Sequence, residues 1–179
     1  MPDPILSRSS FSTKISLSAN KVDIAEWLFS LPSDEYKRCC PPDHIAAGAT
    51  WADDGRRMSI NVEMIGEGLV VQQYVAEIAK KNHCKMVSMS DVFSKNGRTR
   101  VKVVWDLSVK PIDEDSCEYT NSVVSYAPPE FLAFIEEHGV TLEQAAAARQ
   151  AASGDHNSRE TPLFAKSIER RALSHGKTP

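Results

Sequence analysis

Residues 98–110 read RTRVKVVWDLSVK. Val101, Val103, Trp105, Leu107 and Val109 alternate with Arg100, Lys102, Asp106, Ser108 and Lys110. That period of two predicts a strand with its odd-numbered residues facing a core. Asn96-Gly97 just before it is a hairpin turn signal, and the apolar run Lys85–Phe93 lies on the turn's other side. The same grammar extends outward in both directions. Upstream are Leu69–Ala79, Met58–Met64 (Met58, Ile60, Val62 and Met64 alternating with Ser59, Asn61 and Glu63) and Ile45–Trp51. They are separated by Lys80-Lys81-Asn82-His83, Gly66-Glu67-Gly68 and Asp53-Asp54-Gly55. Downstream, the acidic turn Pro111–Ser116 leads to Cys117–Tyr126. Six strands on short turns predict an antiparallel meander.

The flanks differ. Residues 1–10 read as a loose start, and Phe11–Leu17 as one further half-buried strand. Asn20 offers a cap to a helix over 21–30, which Pro32 ends. Ser33 opens a second short helix, stopped by Pro41-Pro42. After the meander, Pro128-Pro129 starts a helix carrying Phe131, Leu132, Phe134 and Ile135, which Gly139 breaks. Thr141-x-x-Gln144 is a capping box for Leu142–Ala152. Ser153-Gly154-Asp155 predicts a second break, Pro162–Leu173 a final amphipathic helix, and 174–179 a frayed end.

The chain has 179 residues, enough for one domain with a self-sufficient core. Its formal net charge of −3 gives no general attraction for nucleic acid. No apolar run approaches a membrane span, and no signal peptide is visible. Cys39, Cys40, Cys84 and Cys117 lack a CxxC spacing, so free thiols in the cytoplasm are expected. HExxH, GxSxG and P-loop motifs are absent, so zincin, hydrolase and nucleotide readings have no support.

The order of strand, two short helices, six meander strands and helices, with the Asn96-Gly97 hairpin and the Pro128-Pro129 helix start, resembles the helix-grip fold of the Bet v1-like, START-related (SRPBCC) superfamily. The resemblance covers residues 11–152. It implies an α+β fold: a curved seven-stranded antiparallel sheet wrapped around a C-terminal helix, with an internal pocket. Residues 153–179 would then be a helical extension.

The resemblance implies a small hydrophobic or aromatic ligand and no cofactor. Its alternative is a polyketide cyclase-like enzyme working in the same cavity. A third reading makes the tail an interaction surface or homodimer contact, because Leu163, Phe164 and Ile168 would need covering. Candidate ligand contacts are Gln72, Tyr74, Met89, Trp105, Asn121, Phe131 and Phe134, and candidate acid/base residues are Asp91 and Tyr119. Asn121 and Tyr119 are polar groups on an inward face and must find partners. Asp91 is interior in one register of its strand and in water in the other. Parity over 69–79 is left open, since both faces carry apolar residues. No metal is expected: His156 and Glu160, four apart, would share a helix face and could bind a metal or hold a histidine tautomer, but are read as a surface pair or a cap cluster.

Overall fold

The computed structural model describes residues 2–175. The strands are β1 (Ile5–Ile15), β2 (His44–Trp51), β3 (Arg57–Ile65), β4 (Gly68–Lys80), β5 (His83–Ser94), β6 (Gly97–Pro111) and β7 (Cys117–Tyr126). They form one antiparallel sheet in the order β1-β7-β6-β5-β4-β3-β2. The helices are α1 (Ile24–Ser30), α2 (Ser33–Cys39), α3 (Pro129–Glu137) and α4 (Leu142–His175). The sheet bends around α4, while α1 and α2 close one end of the interior. No helix among the described residues is long and apolar enough to cross a membrane.

Several local expectations change. The strand expected from Phe11 already begins at Ile5, because β1 pairs with β7 along its whole length. Residues 5–10 are therefore sheet, not a loose start. The cap of α1 is Asp23, whose carboxylate accepts the Glu26 N–H at 2.9 Å. The capping box forms as expected, with Thr141 and Gln144 exchanging bonds of 3.0 and 3.2 Å.

The largest correction is α4. No break occurs at 153–155, and the helix runs through Pro162 for 34 residues, about 51 Å. Ser153, His156, Asn157, Glu160, Thr161, Phe164 and Ile168 are buried against the sheet. That contact outweighs the roughly 1 kcal/mol local cost of Gly154. Residues 153–175 are thus the inner half of the gripping helix rather than an added element. The stripe of Phe164 and Ile168 is covered within the chain, so it is not an exposed interaction surface. The expectation for 176–179 lies outside the described residues.

Glu35 pins α2 to α4: its carboxylate takes Arg38 at 2.9 Å and Arg170 across the helices. Burial pushes its pKa up, but the bonds from Arg170, Ser167 and Arg38 outweigh this and hold it at about 2, against an ordinary 4.5. A depressed folded pKa gives stability above the unfolded pKa that is lost as pH falls toward the folded one. Glu35→Gln should therefore lower the urea midpoint at neutral pH, with the deficit shrinking by more than half near pH 3. An equal deficit at both pH values would contradict this.

Candidate functional site

The concave face of the sheet is unusually polar near β3. The inward residues of β3 are Ser59, Asn61, Glu63 and Ile65, while Met58, Ile60, Val62 and Met64 lie half-covered on the outer face. On β4 the even residues Val70, Gln72, Tyr74 and Ala76 point inward, which settles the open parity. On β5 they are Cys84, Met86, Ser88 and Ser90. On β6 they are the expected odd residues, and on β7 Tyr119 and Asn121.

These strands meet α4 in a buried network. The Trp105 indole donates to Asn121 Oδ1 at 2.8 Å, and Asn121 Nδ2 donates to Glu160 Oε1 at 2.9 Å and Thr161 Oγ1 at 3.1 Å. The Tyr36 hydroxyl donates to Glu63 Oε2 at 2.6 Å. His44 Nε2 lies 3.1 Å from Glu160 Oε2 and 3.5 Å from Glu63 Oε2. His156 Nε2 lies 3.4 and 3.5 Å from the same two oxygens. Burial opposes charge on His156, but Glu63, the Cys40 contact and Glu160 raise its pKa well above the ordinary value. Burial likewise pushes Glu160 up, and His156 and His44 pull it down. The space left beside these groups is about 20 Å³, lined by Tyr36, Glu63, Tyr74, Trp105 and Glu160 among others. That holds one water molecule, not an organic ligand.

The larger opening is at the β3–β4 end. A cleft of about 410 Å³ lies between Leu6, Ile65, Val92, Val101, Phe131 and Ala152. Gly66 forms its rim at φ +60°, where an added Cβ would come within 3.1 Å of Ala152. Arg149 lines both this cleft and the small inner space. Its Nε is buried without a partner, and it makes no ion pair or hydrogen bond among the described residues.

No family model matches the sequence, and no curated protein matches it. Solved structures do. A START superfamily protein from Mycobacterium smegmatis aligns at TM-score 0.53 and 14% identity, over 94% of this chain and 98% of that one. The Zhui aromatase/cyclase from Streptomyces sp. R1128 aligns at 0.60 and 10% identity, over 96% of each. This chain has the helix-grip fold. A norcoclaurine synthase from Thalictrum flavum, in complex with a transition-state analogue, also aligns, at 0.51 and 15% identity over 99% of each chain.

Within this helix-grip frame the sequence candidates separate. Gln72, Tyr74, Trp105 and Asn121 line or join the inner network. Phe131 lines the cleft. Phe134 packs beside the His138 ring and the Gly97 turn, away from both spaces. Asp91 and Met89 are on the outer face, because β5 takes the other register and buries its serines. Asp91 is bound there by Arg98 at 2.6 Å. Tyr119 points inward but touches neither space; its hydroxyl has no partner, and burial pushes its pKa well above the ordinary 10.0.

Sequence reasoning missed His44, Glu63 and Arg149, and placed His156 and Glu160 on the surface. The i, i+4 spacing of His156 and Glu160 was the available signal. Their burial follows only from the unbroken helix.

Proposed function

We propose that the protein binds a small apolar molecule carrying an acidic group, held in the cleft at the Gly66 rim. Arg149 is the observation that carries this reading. A guanidinium keeps its charge in proteins, and the buried Nε of Arg149 has no hydrogen-bond partner among the described residues, with Glu63 and Glu67 nearby but neither bonded to it. A ligand carboxylate or similar anion would supply the missing partner through paired N–H bonds. Leu6, Val92, Val101 and Phe131 would enclose its hydrocarbon part. The similarity to an aromatase/cyclase and a START protein agrees with a small-molecule site at the grip. The binding reading is preferred over the enzymatic one, because neither Asp91 nor Tyr119 reaches this cleft.

The probe is 2-naphthoate, compared with neutral 2-naphthalenemethanol by calorimetry. The acid should bind at least about tenfold tighter, and Arg149→Gln should remove that difference. Equal affinity for the two, no binding at millimolar concentration, or a difference that survives in Arg149→Gln would overturn the proposal.

A further inference from the structure

The inner network poses a separate question. His44 Nδ1 lies 2.8 Å from the Tyr36 carbonyl oxygen, and His156 Nδ1 lies 2.9 Å from the Asp43 carboxylate. Both partners accept only, so each Nδ1 carries the proton. When a metal ion displaces the ring protons, each Nε2 presents a lone pair. Both lone pairs face the same two carboxylate oxygens, Glu63 Oε2 and Glu160 Oε2. Four electron-rich atoms, all within 4.8 Å of one another, converge on one point inside the protein. His156 Nε2 is buried there without a hydrogen-bond partner. Such a constellation is balanced either by protons on the rings or by one metal cation at its centre.

The nitrogen–oxygen spacing and the donor types both suit zinc. Zinc with bonds of about 2.0–2.1 Å to four ligands sets its donor atoms about 3.3–3.4 Å apart. The four N–O separations here are 3.1, 3.4, 3.5 and 3.5 Å. Calcium and magnesium favour six or more oxygens, which this site does not offer. The surroundings match what metal-bound histidines use: each ring's other nitrogen is fixed by a carbonyl or carboxylate. The carboxylates are fixed as well, Glu63 by the Tyr36 hydroxyl and Glu160 by Asn121. Cys40 Sγ sits 3.7 Å from His156 Nδ1, the far nitrogen of that ring, so the quartet excludes it.

We infer that His44, Glu63, His156 and Glu160 form a tetrahedral binding site for one zinc ion. Four protein ligands complete the coordination, and the adjoining space admits one water at most. The site is therefore structural. It joins the start of β2 and the end of the neighbouring β3 to the inner face of α4, which lies far along the chain from both. The ion would clasp the gripping helix to the sheet edge. The site is separate from the cleft, although Glu63, Glu160 and Arg149 all border the small inner space.

The test begins with the wild-type chain, stripped by chelator, reconstituted with Zn²⁺ and desalted. Elemental analysis should find one zinc per chain, and reconstitution with Co²⁺ should give the intense visible bands of a tetrahedral ion. Removing zinc should lower the thermal midpoint by about 10 °C or more. Glu63→Gln and His156→Gln should lose the metal and the cobalt spectrum. His83→Gln, which alters an exposed pair with Asp106, should keep both. A wild-type chain that stays folded yet takes up neither metal overturns the proposal, leaving protons alone to balance the two carboxylates. Full stoichiometry in folded Glu63→Gln and His156→Gln overturns it equally. The wild-type readouts decide the matter even if the variants fail to fold.

Discussion

Phe164→Ala is expected to destabilise the protein by about 3–5 kcal/mol, among the largest single losses available to this chain. Phe164 is fully buried on the inner face of α4. Its ring meets Trp27 edge-on at 5.1 Å, and lies 5.5 Å from His44, 6.0 Å from Trp105 and 6.4 Å from Tyr36. These groups come from α1, α2, β2 and β6, so one side chain joins the helix to four elements. Truncation leaves a cavity whose walls are large, mutually braced rings that cannot collapse inward. Denaturant unfolding monitored by tryptophan fluorescence measures the loss. A cost below about 1.5 kcal/mol would mean that α4 is not held by this contact. Phe164→Leu should recover much of the difference, since it restores most of the volume.

The second large effect is Asn121→Asp, a change of one atom type. Asn121 presents an acceptor to the Trp105 indole and donors to Glu160 and Thr161. A carboxylate keeps the first bond and can accept from the Thr161 hydroxyl, but faces Glu160 Oε1 as acceptor against acceptor at the former 2.9 Å donor position. Two buried negative charges at that distance should cost about 3–5 kcal/mol at neutral pH. The new carboxyl would have a raised folded pKa, so the penalty grows as pH rises above the unfolded value of about 3.9. Stability curves of the variant and wild type should converge on acidification. A deficit independent of pH would point to a steric cause instead. Asn121→Leu, which removes the charge but also every hydrogen bond, separates the two contributions.

The strands were legible in the sequence because turns and alternation are local. Each of the six meander strands lies within a few residues of its expected span, and β6 faces as its apolar residues require. Alternation, however, locates a strand without saying which side is inside. On β3 the rule of apolar inward fails, because Ser59, Asn61 and Glu63 have buried polar partners waiting for them. On β5 two faces of similar apolarity left the choice open, and the serine face went in. The helix α4 was misread for a related reason. Ser153-Gly154-Asp155 is a weak local stretch, and only tertiary contact carries the helix across it. The histidine–glutamate cluster was least legible of all, since His44 and Glu160 are 116 residues apart. No spacing rule reaches that far.

The pairing of β1 with β7 also sets a timetable. Ser7 and Ser125, whose hydroxyls meet at 2.6 Å, are separated by 118 residues. On a ribosome the first strand emerges on the order of ten seconds before its partner. The meander β2–β6 can assemble during that wait from neighbouring hairpins. β1 and α4 cannot settle until the end, because β1 needs β7 on one side and α4 across its face. The long-range closure makes the last step slow for a chain of this size. β1 therefore spends that interval without its sheet partner.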